Sequence, residues 1–149
     1  MSSNSKSSCI RQAIHVEEPA PAPLGSYSHA MRSGHLLFVS GQGCRDPLSG
    51  IEAGITMDAE GKVLSYDIQV QTRGCIANLE RVLKAAGLTL HDVVDVTVFL
   101  ADMKDFAAYN KVYAEFFTFE QPPARTTIQA AALPGRNFIE IKAIAAFRD

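Results

Sequence analysis

Between Asp67 and Leu100 the hydrophobic period of the chain changes once, from helical to β, and this restricts the fold more than any other feature. Ile68, Cys75, Ile76, Leu79, Val82, Leu83 and Ala86 recur at helical spacing, so Asp67–Ala86 presents one apolar stripe. Asp67 stands where a carboxylate suits the helix dipole, and Gly87 can take the left-handed conformation that stops a helix. The stretch from Val93 to Leu100 is then rich in β-branched residues, with Val94, Val96, Val98 and Leu100 expected on one face. A second helix follows. Asp102 is its expected N-cap, Phe106, Tyr109, Tyr113, Phe116 and Phe117 form its aromatic stripe, and Pro122 and Pro123 end it.

Three further strands complete the pattern. His35–Ser40 is a short apolar run between Gly34 and Gly41, and two more strands are expected around Arg125–Ala131 and Phe138–Phe147. The order is strands, helix, strand, helix, strand, strand. It predicts an α+β fold in which two helices cover one face of a mixed sheet. Val93, Phe99 and Ile144 are expected on the uncovered face and are too apolar to leave wet, so that face should be an interface between copies of the chain. Residues 1 to 18 read as a mobile polar tail, and Pro19, Pro21 and Pro23 then stiffen the approach to a single domain over 19–149. Gly43 to Lys62 reads as one long connection, and loops of that length are often functional.

Composition removes several function classes. The net charge is −2 and no basic run occurs, so a nucleic-acid groove is not expected. No apolar run approaches the length of a membrane span, and the Ser-rich start lacks the apolar stretch of a signal peptide. Cys9, Cys44 and Cys75 are odd in number and widely spaced, which suits free packed thiols in a cytoplasmic protein. The histidines His15, His29, His35 and His91 form no zinc-ligand pattern, so no metal site is expected.

The last strand carries the first chemical candidate. Phe138, Glu140, Lys142 and Ile144 share a face, which sets a carboxylate among apolar neighbours. On pattern alone Glu140 reads first as an edge-strand carboxylate paired with Lys142 or an arginine. Its second reading is a general base whose pKa is raised by burial. Arg125 reads first as a solvated strand-end residue, and second as a fork for a substrate carboxylate. Asn110 lies beside the aromatic stripe as a helix-surface amide or a pocket residue, and Tyr27 is a core aromatic or a pocket wall.

The segment Pro123-Ala124-Arg125-Thr126-Thr127-Ile128, followed by Leu133 and Ile139-Glu140-Ile141, resembles the C-terminal signature of the RidA/YjgF family of reactive-intermediate deaminases. So do Pro23-Leu24-Gly25-Ser26-Tyr27, Phe38-Val39-Ser40-Gly41-Gln42, Ala85-Ala86-Gly87-Leu88 and Asp105-Phe106-Ala107-Ala108-Tyr109-Asn110, in the family's order. The resemblance implies a homotrimer of chorismate-mutase-like subunits, with sheets packed into a central barrel and sites between neighbours. It implies that Arg125 binds the substrate carboxylate and that Glu140 orients the attacking water, helped by the backbone of Thr127. Tyr27, Ser40, Gly41 and Asn110 would line the pocket. An iminium carbon is already electrophilic, so no metal, cofactor or covalent nucleophile is required.

Two departures stand out. Many relatives have Pro where Ser26 stands and Cys where Thr127 stands. The Gly43–Lys62 loop resembles a subgroup containing 2-aminomuconate deaminases, as do Asp58–Ile68 and Asp92–Leu100. The expected reaction is therefore conversion of 2-aminomuconate to 4-oxalocrotonate and ammonia. A general 2-iminobutanoate/2-iminopropanoate deaminase and a non-catalytic trimer that binds small acids are the alternatives. For a dicarboxylate, Arg45 on the loop and His29 are the candidates to read the far carboxylate.

Overall fold

A computed structural model describes residues 10–17 and 20–148. Its principal sheet has six strands: β1 (Arg11–Ile14), β2 (Ala30–Ser33), β3 (Leu36–Gln42), β6 (Val93–Leu100), β7 (Ala124–Gln129) and β8 (Ile139–Ala146). Their order across the sheet is β1-β2-β3-β8-β6-β7. A separate hairpin pairs β4 (Ile55–Met57) with β5 (Val63–Tyr66). Helices α1 (Ile68–Ala85) and α2 (Phe106–Phe116) lie on one face. The sheet is mixed because α2 carries the chain from β6 to a parallel β7, while every other neighbour is antiparallel.

Helix α1 starts and stops where its ends are satisfied. The Asp67 carboxylate accepts hydrogen bonds from the Gln69 and Val70 amides. At the other end Gly87 has φ of +78°. The Leu88 amide donates to the Leu83 carbonyl at 2.8 Å, a closure that only a left-handed residue permits cheaply. The helix stripe (Cys75, Ile76, Leu79, Val82, Leu83) packs on Leu37, Val39, Val96, Val98, Ile139 and Ile141 of the sheet. Cys44 and Cys75 are free buried thiols, as expected; Cys9 lies outside the described residues.

Four expectations are corrected. Part of the proposed tail is a strand: Arg11–Ile14 pairs with β2, from Arg11 opposite Ser33 to Ile14 opposite Ala30. A sheet edge offers unpaired main-chain groups, so a polar segment can add there without an apolar face of its own. The rest of that expectation, residues 1–9 and Glu18, falls outside the described residues. Second, the long connection is partly ordered by an Arg45–Glu52 bridge and by the β4–β5 hairpin. Third, Val93 and Val94 exchange places. A register shift between Val93 and Asp95 buries Val93 on the helix side and leaves Val94 46% exposed. Fourth, Asp102 caps a 3-10 turn over Met103–Asp105, and α2 starts one turn later.

The face turned away from the helices carries Leu36, Phe38, Phe99, Ile128 and Ile144, with Glu140 and Lys142 among them. Leu36 and Phe38 are each 39% exposed, so this apolar face is uncovered in a single chain. Among the described residues, no helix is long and apolar enough to cross a membrane.

Candidate active site

Glu140 sits at the start of β8 on the open face, level with Phe99 of β6. Gly41 faces it from β3, where a Cβ would lie 2.6 Å from Glu140 Oε1. Only a residue without a side chain lets β3 run this close to the carboxylate. Burial raises the Glu140 carboxyl above its ordinary value, and the Lys142 charge pulls it partly back.

Glu140 opens on a cavity of about 320 Å³ that is also lined by Tyr27, His29, Gly41, Arg45 and Asn137. One wall is built from residues 21–24 and Tyr27. Arg45 donates to the Ala22 carbonyl, and the Tyr27 hydroxyl accepts from the Leu24 amide at 3.0 Å. His29 braces the same wall. Its Nδ1 accepts from the Val16 amide at 3.0 Å, which requires Nε2 to carry the proton and donate to the Pro21 carbonyl at 2.8 Å. Both ring nitrogens are thus engaged by main chain, and His29 is buried. Ser40 donates from Oγ to the Ser28 carbonyl at 2.7 Å and lines a neighbouring cavity that shares Tyr27.

The second cluster stands on the other face. Arg125 is level with Val96, and Thr127 with Val98, both of which are buried beneath the helices. Arg125 Nη1 donates to Asn110 Oδ1 at 2.7 Å, and its guanidinium carbon lies 4.6 Å from the Tyr113 ring centroid. Thr127 Oγ1 shares a hydrogen with the Tyr109 hydroxyl. The predicted residues therefore separate into two groups. Tyr27, His29, Gly41, Arg45 and Glu140 share one cavity, with Ser40 beside it; Arg125, Asn110 and Thr127 form another group across the sheet.

Sequence reasoning missed the groups that hold these clusters. Gln71 is fully buried in α1. Its amide donates to the Ala53 and Arg136 carbonyls, each at 3.1 Å, and accepts from the Phe138 amide at 2.8 Å. Asn78 donates to the Gly43 and Arg45 carbonyls, and Asn137 Oδ1 accepts from the Cys44 amide at 2.8 Å. The signal was two amides seven residues apart within an apolar helix stripe. The aromatic stripe marks Tyr113 only by its ring. Its buried hydroxyl is the one such side-chain atom without a hydrogen-bond partner among the described residues, and burial pushes its pKa to about 12. No three His, Cys, Asp or Glu side chains cluster as metal ligands among the described residues.

A family model described as Endoribonuclease L-PSP matches residues 17–147. A RutC family protein of Pyrococcus horikoshii is 44% identical over 136 residues, covering 91% of this chain and 98% of its own. The chloroplastic Reactive Intermediate Deaminase A of Arabidopsis thaliana is 37% identical over 138 residues, covering 93% of this chain and 67% of that protein. The solved structure of E. coli TdcF with bound serine superposes with a TM-score of 0.77 at 32% identity, covering 92% of this chain and 99% of that one.

Proposed function

The chain belongs to the Endoribonuclease L-PSP family, that of the RidA/YjgF proteins, and from that premise we propose that it is a hydrolytic enamine/imine deaminase acting as a homotrimer on 2-aminomuconate. The observation that carries the reading is Glu140, a half-buried carboxylate with a raised pKa that faces a cavity. A base tuned in this way suits activation of one water. The chloroplastic relative named Reactive Intermediate Deaminase A supports the same chemistry.

In this reading the working site joins two copies. The open face of one subunit supplies Glu140, Gly41, Ser40 and Tyr27, and the next supplies Arg125 and Thr127 from its edge strand β7 and Asn110 from α2. Arg125 grips the carboxylate beside the reacting carbon with its two-pronged guanidinium, already oriented by Asn110 and Tyr113. The enamine takes a proton on carbon to become an iminium. Glu140 removes a proton from water as the oxygen bonds to C2, helped by the Thr127 backbone. Proton transfer to nitrogen, with the new hydroxyl giving up its proton to solvent, then lets the C–N bond break, leaving the ketone and ammonia.

The uncovered apolar sheet face supports the trimer, because burying it needs another copy. The loop residue Arg45, which lines the Glu140 cavity, supports a substrate larger than iminopropanoate. The direct test presents the purified protein with freshly generated 2-aminomuconate and with iminopropanoate, and follows ammonia release. Higher kcat/KM on 2-aminomuconate is expected. Preference for iminopropanoate would make the general 2-iminoacid deaminase the better reading. No release from either would leave the small-acid-binding trimer. Sedimentation should give about three times the chain mass of 16.1 kDa.

A further inference from the structure

Beside the Glu140 cavity lies a second hollow of about 400 Å³ on the open sheet face. Lys142 and Arg11 reach it, and the hydroxyl-bearing residues Ser26, Ser28, Ser40 and Tyr27 line it; none of its lining residues is acidic. Tyr27 is common to both hollows, and Ser40 precedes Gly41, the residue against Glu140. Lys142 stands two residues beyond Glu140 on the same face of β8, roughly 7 Å along the strand. No ion pair engages Lys142 among the described residues.

We propose that Lys142, with Arg11, forms an anion subsite that holds the far carboxylate of a dicarboxylate substrate whose reacting carbon lies at Glu140. The proposal rests on the deaminase reading for the position of the reacting carbon, but the subsite is defined by its own charge. The spacing suits it: a chain of about four carbons spans the distance between two same-face strand positions. Charge suits it as well, because two cations reach this hollow with no acidic residue in its lining, and the lining hydroxyls can donate to an anion's oxygens. The same Lys142 charge is felt by Glu140, whose raised carboxyl pKa it partly lowers. Arg45 then has a different task. Its guanidinium is tied to the Ala22 carbonyl, so it holds the wall segment in place.

The subsite is testable without turnover. Binding of adipate, an inert six-carbon dicarboxylate, is compared with that of butyrate by calorimetry on the intact protein. Wild type should favour adipate, and Lys142→Met should reduce that preference by about tenfold or more, as expected for a lost charge-assisted contact. Lys142→Arg, which keeps the charge, should retain most of it. A merely structural role would weaken both acids together and would not be rescued by Arg. An unchanged adipate-to-butyrate ratio in Lys142→Met, or no adipate preference in wild type, overturns the proposal. Loss of the preference in a protein that does not deaminate 2-aminomuconate would leave the subsite standing and remove that substrate.

Discussion

Arg125 and Glu140 project from opposite faces of one sheet: Arg125 is level with buried Val96 on the helix side, and Glu140 with Phe99 on the open side. A substrate held by one cannot meet the other within a single chain, so a site using both must join two copies. The Arg125→Ala and Glu140→Gln variants should each lose most of their activity. Unfolding and co-refolding them in equal amounts should restore activity, because about a quarter of the interfaces then unite an intact Arg125 with an intact Glu140. Activity that stays at the level of the parents would mean the two residues do not share a site.

Glu140→Gln keeps the size and hydrogen-bonding reach of the side chain but removes the base. Turnover should fall by roughly 10²-fold or more, with substrate binding largely kept. In wild type the ionised carboxylate is the working form. Activity should therefore fall as pH drops through a pKa held above the ordinary carboxylate value by burial. Stability runs the other way. A folded pKa above the unfolded one means that the native state holds the proton more tightly. That contribution is full below the unfolded pKa and is lost as pH rises through the folded pKa. The Gln variant escapes this loss, so its urea midpoint at neutral pH should equal or exceed that of wild type. A less stable and fully active Gln variant would contradict both statements.

Arg125→Lys retains the charge but not the fork, and it loses the flat surface stacked near Tyr113. KM should rise by roughly tenfold or more, with a smaller change in kcat. Wild-type kinetics in the Lys variant would remove Arg125 as the carboxylate clamp.

Gly41→Ala places a methyl group 2.6 Å from the present position of Glu140 Oε1. The carboxylate must move, because the other side of the contact is the β3 backbone. Thermal stability should change little while kcat drops by about tenfold or more, since positioning of the base is what is lost. Unaltered kcat would show that Glu140 works equally well from another rotamer.

Gln71→Leu removes the amide N–H groups that donate to the Ala53 and Arg136 carbonyls, and the oxygen that accepts from the Phe138 amide, while filling nearly the same volume. Three part-buried main-chain groups lose their partner, at up to about 1–3 kcal/mol each. Urea denaturation should show a loss on the order of 3 kcal/mol or more. A loss below about 1 kcal/mol would mean that water replaces the amide.

Sequence alone determined the elements and the chemical groups. The 3.6-residue stripe of α1, its stop at Gly87 and the alternation along β8 are local rules, each expressed within one segment of chain. They were enough to set Glu140 among apolar neighbours and Arg125 at the head of a strand. Tertiary structure decided which groups meet. The exchange of Val93 for Val94 comes from a register shift against β8, and the pairing of Arg11–Ile14 comes from a free sheet edge. Neither partner is visible within the segment that responds to it. The separation of Arg125 from Glu140 depends likewise on strand order and register across three strands. The amides of Gln71, Asn78 and Asn137 became interpretable only when the loops whose carbonyls and amides they satisfy had been brought against them.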